Sequence, residues 1–181
     1  MRAVKYLLII MFVFVTVYII KDNNTESTPT IYDVISENKE VRLMIATDLH
    51  YLSPSLVEQG DLFKKVYQNG DGKQVHYISE IIDAFIAEVI KEKPDALILS
   101  GDLTLNGEKK SHQELVKKLK EVKQNGISIM VIPGNHDINN YYASGFAKKT
   151  SYPVDFIGEN YFRDLYGPFG FDQAIYKILI H

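Results

Sequence analysis

Ile127-Ser-Ile-Met-Val-Ile-Pro-Gly-Asn-His-Asp137 decides how the rest of the chain is read. Its first half is short, apolar and rich in β-branched residues, opened by Gly126 and closed by Pro133-Gly134, which is the pattern of a strand. Its second half sets an amide, an imidazole and a carboxylate side by side at Asn135, His136 and Asp137, and Gly134 lets another backbone approach closely. A plain Asn/Asp turn with a capping role would use the same residue types. Two further runs bear on the choice, because residues 41–47 lead into Asp48-Leu49-His50 and Ala96–Ser100 leads into Gly101-Asp102. Ligands of open parallel sheets bind beyond the carboxyl ends of the strands, so three apolar strands tipped with Asp, His or Asn point to one cleft.

The intervals between these runs are helical. Ile78, Ile81, Ile82, Phe85, Ile86, Val89 and Ile90 recur at helical spacing and stop near Lys93 at Pro94. Ser111 with Glu114 three residues on has the form of a capping box, and Leu115, Leu119 and Val122 line one face of a second helix ending near Gly126. The order is βαβαβ, an α/β arrangement in which right-handed crossovers make the strands parallel and helices cover the sheet. Residues 51–76 read as a long irregular segment with a turn at Asn69-Gly-Asp-Gly72. From Tyr141 to Phe171 aromatic residues alternate with glycines, and the expectation is a substrate-side wall above the strand ends with a short helix near 159–165.

Composition sets the outer limits. The chain has 181 residues, 46% of them hydrophobic, and a net charge of −3, which offers no electrostatic footing for a nucleic-acid polymer. It has no cysteine, so a metal would have to be held by His, Asp, Glu or Asn. Arg2 and Lys5 precede an uncharged apolar run from Tyr6 to Ile20, about 22 Å long as a helix against a hydrocarbon core of about 30 Å. Residues 1–20 therefore read as an export segment set apart from the fold. No small-residue cleavage site follows, which favours an uncleaved anchor on the outer side of the cell membrane over a secreted product with its signal removed. Residues 21–38 read as a polar linker, and 39–181 as the folded domain.

The polar tips define a chemistry. If strand geometry persists, Asp48 and His50 share one side of the chain and Leu49 turns into the core. Asp102 supplies a carboxylate able to reach two ions, with Gly101 clearing room, and Asn135 adds a neutral carbonyl oxygen. Imidazole mixed with oxygen ligands suits Mn, Fe or Zn better than Mg or Ca. Two such cations clamp the nucleophile and leaving group of an in-line displacement at phosphorus, and His136, oriented by Asp137, protonates the leaving oxygen.

Asp48-Leu-His50, Gly101-Asp102 and Gly134-Asn-His-Asp137, in this order, resemble the first three motifs of the calcineurin-like metallophosphoesterases. With the apolar start, the chain is most similar to their bacterial envelope members, which hydrolyse phosphomonoesters or phosphodiesters, cyclic nucleotides included. The resemblance implies that Asp48 and His50 bind the first metal, Asp102 bridges, Asn135 binds the second, and His136 with Asp137 forms an acid dyad acting on a small phosphate ester. It implies half of a β-sandwich flanked by helices, since the family's later histidine motifs are missing: after His136 the next histidine is His181. His76 and His112 read as ordinary surface residues. On this reading the chain is the amino-terminal part of the enzyme, cut short near Ala174, and its second metal has only two protein ligands. The competing reading is a membrane-tethered, non-catalytic remnant with a partial metal site. A nucleotide-binding Rossmann sheet is disfavoured, since no Gly-x-Gly-x-x-Gly follows the first strand.

Overall fold

The structure, a computed structural model, describes residues 8–10, 14–20, 40–58, 62, 63, 65 and 74–170. The expected linker, the turn at Asn69–Gly72, Phe171 and the tail from 174 onward lie outside these residues. Three parallel strands carry the architecture: β3 (Val41–Ala46), β4 (Ala96–Ser100) and β5 (Ser128–Ile132), with β4 in the middle. The run that opens the sequence reading is thus not central among the described residues; β5 pairs with β4 alone. Helices α1 (Ile78–Glu92) and α2 (Lys109–Gln124) make the two crossovers.

Alternation along the strands sets the faces. Met44 and Ala46, Leu97 and Leu99, and Ile129 and Val131 fall in register across the sheet and are buried in one core with Ile82, Ile86 and Val89 of α1 and Leu115, Leu119 and Val122 of α2. The opposite face, bearing Leu43, Ile45, Ile98 and Met130, is only half-buried. Helix α1 stops where Lys93 turns left-handed (φ 47°) ahead of buried Pro94. Helix α2 begins two residues before the expected cap. Ser111 lies inside its first turn, fully buried, and its Oγ accepts a bond from Ser53 N–H (3.1 Å) where capping would have used it within the helix.

Part of the Tyr6–Ile20 run takes extended form as β1 (Leu8–Ile10) and β2 (Phe14–Ile20), with β2 antiparallel to β3. β-branched and aromatic residues suit a strand as readily as a bilayer, which is why hydrophobicity alone does not separate the two. No helix among the described residues is long and apolar enough to cross a membrane. The aromatic stretch also divides. Helix α3 (Glu159–Tyr166) and the short 3-10 turn after it bury Phe162, Tyr166 and Phe169 in the main core, while Phe146 of β6 (Ser144–Phe146) joins Leu52, Phe63, Val75 and Leu105 in a second one. Of the expected wall, Tyr141, Tyr142, Tyr152 and Phe156 are exposed, the last two by the hairpin of β6 and β7 (Ser151–Pro153).

Phe162 is fully buried and stacks on Tyr166 with ring centroids 4.4 Å apart. Phe162→Ala should cost about 3–5 kcal/mol, the usual range for an aromatic-to-alanine cavity, read as a loss of thermal and denaturant stability by circular dichroism.

Candidate metal centre

Beyond the strand ends the ladder continues in loop form. Asp48 N–H donates to Gly101 O (3.2 Å), His50 N–H to Asp102 O (2.9 Å) and Tyr51 N–H to Leu103 O (3.0 Å). Strand geometry does not persist here: Asp48, His50 and Asp102 all have left-handed backbones, with φ of 56°, 44° and 48°. The two ligand candidates of the first motif therefore meet by a coiled turn and not by alternation, while Leu49 is buried as expected. One donor atom from each of Asp48, His50 and Asp102 lies within 4.8 Å of the others. His50 is buried at 6% exposure, its Nε2 is 3.6 Å from Asp48 Oδ1, and the Asp48 side chain is half exposed.

These residues fit a cation. Donors about 2.1 Å from one ion stand at most about 4.2 Å apart, so a small inward shift completes the contact. Two carboxylates and an imidazole match a transition metal better than an all-oxygen site for Ca or Mg. Left-handed backbone at three non-glycine residues costs on the order of 1–3 kcal/mol each, and such strain gathers at functional sites.

The third motif closes over this cluster. A Cβ on Gly134 would lie 2.1 Å from Asp102 Oδ1 and 2.4 Å from Asp102 N, so the two loops touch only because that side chain is missing. His136 N–H donates to Asp102 Oδ1 (3.1 Å), and the His136 ring stands edge-on to His50 with centroids 4.9 Å apart. Asn135 is exposed between Gly134 and His136, on the turn that meets Asp102. The expected pairing of His136 with Asp137 is replaced. His136 Nδ1 bonds to the Leu105 carbonyl at 2.6 Å, which makes Nδ1 the protonated nitrogen and leaves Nε2 for chemistry. Fully buried Asp137 instead accepts bonds from Leu103 N–H (3.1 Å), Gly134 N–H (2.8 Å), Thr104 N–H (2.9 Å) and the Thr104 hydroxyl (3.1 Å). Burial raises the Asp137 carboxyl above its ordinary range and these bonds pull it back. All four partners are donors, so the loops are built around the ionised form.

Sequence reasoning overlooked several members. The Leu105 carbonyl is backbone and carries no signature of residue type. Thr104 reads as an ordinary β-former. His112, expected at the surface, is fully buried: it lies three residues before Leu115 on the apolar stripe of α2, a signal the helical period carried, while its partners lie 25 and 54 residues away. His76 is partly buried, its ring 4.1 Å from that of Tyr77.

Comparison with known proteins agrees with this geometry. The calcineurin-like phosphoesterase family profile matches residues 41–178, and the chain belongs to that family. A relative from Ruthia magnifica subsp. Calyptogena magnifica, named a probable cyclic nucleotide phosphodiesterase, is 43% identical over 63 residues. That match covers 35% of this chain and 26% of the relative.

Gly134→Ala places a methyl group against the backbone of Asp102, which cannot swing aside as a side chain tip would. The variant should lose about 1–3 kcal/mol of stability, as overpacked sites do, and bind Mn(II) more weakly than the wild type in calorimetric titration.

Proposed function

We propose that the chain carries the metal-binding part of a phosphoester hydrolase, acting on small phosphodiesters or phosphomonoesters, cyclic nucleotides among them. The observation that carries this reading is the convergence of Asp48, His50 and Asp102, with the His136 ring set against His50. Two Mn, Fe or Zn ions would be held by Asp48, His50 and Asp102 on one side and by Asp102 with Asn135 on the other, and when bound they supply Lewis acidity for in-line attack at phosphorus. Asp102 accepts the His136 N–H through Oδ1, which leaves Oδ2 free of that bond and fixes the carboxylate for shared use. His136, held by the Leu105 carbonyl, offers Nε2 as the proton-transfer atom, and its imidazolium form gives that proton to the leaving oxygen. Tyr141 and Tyr142 offer a planar face to a base or aryl group. They follow a turn in which Asn140 bonds to His136 O (3.2 Å) and Tyr142 N (3.0 Å), and Tyr141 stands edge-on to Phe156 at 5.0 Å.

A second role for His136 has its own observation. A ring whose Nδ1 donates to a backbone carbonyl also matches the habit of metal-bound histidines. Metal content separates the two. Asp102→Asn should abolish metal loading and turnover together, while His136→Ala should keep its metal and slow turnover by about 10² to 10⁴, less on an aryl ester than on an alkyl one. Loss of metal from His136→Ala would make His136 a ligand, and equal losses on both esters with the metal retained would make it a structural residue.

Export belongs to the same reading. The uncharged run of residues 6–20 and the Arg2 and Lys5 before it support a membrane anchor with the domain on the outer side, in which case Leu8–Ile10 and Phe14–Ile20 would leave the sheet edge. A carboxyl-terminal reporter that works only in the cytoplasm should be silent; strong reporter activity would refute export.

A further inference from the structure

A buried polar network runs from the back of the site to helix α3, and the mechanism above does not use it. His112 is fully buried in the first turns of α2. Its Nε2 is 3.0 Å from the Asp137 carbonyl and 3.2 Å from Thr104 Oγ1, and its Nδ1 is 2.9 Å from the Tyr166 hydroxyl. A carbonyl can only accept, so Nε2 must carry the hydrogen. Nδ1 is then an acceptor, and the Tyr166 hydroxyl must donate to it. Thr104 Oγ1 in turn accepts from Gly107 N–H (3.1 Å) and gives its hydrogen to Asp137 Oδ1 (3.1 Å). One proton arrangement therefore satisfies every member. Burial keeps the imidazole neutral by holding its pKa down at about 4, and burial keeps the phenol protonated.

The network ends on the two loops that make the metal centre. Asp137 binds Leu103 N–H and Thr104 N–H, directly after Asp102, and Gly134 N–H, directly before Asn135. We propose that His112 and Tyr166 are positioning residues that clamp the Asp137 backbone and Thr104, and thereby set the spacing of Asp102 from Asn135, the pair that would hold a second cation. A buried network of this kind holds one geometry when complete and loosens when a member is lost. The proposal rests on the phosphohydrolase reading for its kinetic readout only; cation binding tests it separately.

The experiment compares His112→Leu, His112→Gln and Tyr166→Phe in the full chain, by Mn(II) titration calorimetry, by kcat and KM on an aryl phosphodiester, and by thermal melting, with assays kept well below each melting point. Leucine removes all three hydrogen-bond contacts of the imidazole. Glutamine retains a donor near the position of Nε2. Phenylalanine deletes a single oxygen, so it carries the test if His112→Leu fails to fold. The expected result is an Mn(II) affinity reduced about 10- to 100-fold in His112→Leu, the scale for groups that support metal ligands, with a smaller loss in Tyr166→Phe and substantial recovery in His112→Gln. Where turnover is measurable, kcat should fall with KM nearly unchanged. Melting points that drop while Mn(II) affinity and kcat stay at wild-type values would overturn the proposal and leave His112 a packing residue. No recovery in His112→Gln, with Tyr166→Phe unchanged from wild type, would overturn it equally. If the wild type binds Mn(II) but hydrolyses no ester, the functional reading fails while the positioning claim is still decided by the binding data.

Discussion

The site depends on one buried carboxylate. Asp137 has no exposure to solvent, and its two oxygens take four hydrogen bonds from residues on two different loops. Without those bonds, the buried amides of Leu103 and Thr104 would be stranded in the interior, each costing on the order of 1–3 kcal/mol. The same bonds decide where Asp102 stands relative to Asn135 and His136. Stability and site geometry thus share one set of contacts, and neither can be altered there without the other.

Around this point the sheet works as a rigid base. β3, β4 and β5 end at nearly the same level because their registers are aligned, and the loops beyond them pair through backbone bonds that prolong the ladder. Function then resides in a few loop residues that the strands hold steady, while helices α1 and α2 contribute mainly apolar burial.

Much of this was legible in the sequence because the strands are short apolar runs whose tips carry Asp, His or Asn, and because Gly134 marks a close approach. The strand Ala96–Ser100 and the helix near 159–165 could be read almost to their boundaries. What could not be read depends on distance or on backbone. The left-handed turns at Asp48, His50 and Asp102 fall on residue types that enter that region more often than most but still rarely, so the sequence does not mark where they occur. The carbonyl that orients His136 comes from Leu105, a residue with no polar side chain. His112 shares the buried stripe of α2 with Leu115 and Leu119, a placement the helical period does give, but its partners Asp137 and Tyr166 are set by tertiary packing. The aromatic stretch lacks a period, so the split between core and surface within it depends on tertiary packing.

The left-handed residues set the chain's chemistry against its durability. Of the five non-glycine residues with positive φ among those described, three are the ligand candidates themselves. Glycine at any one of them would relax the backbone and delete a metal donor in the same step. Random change toward a more comfortable main chain is therefore change away from a working site. A copy of this domain freed from its task could gain stability as it lost its ligands, so a well-behaved, easily purified relative lacking Asp48 or His50 is the form that disuse would take.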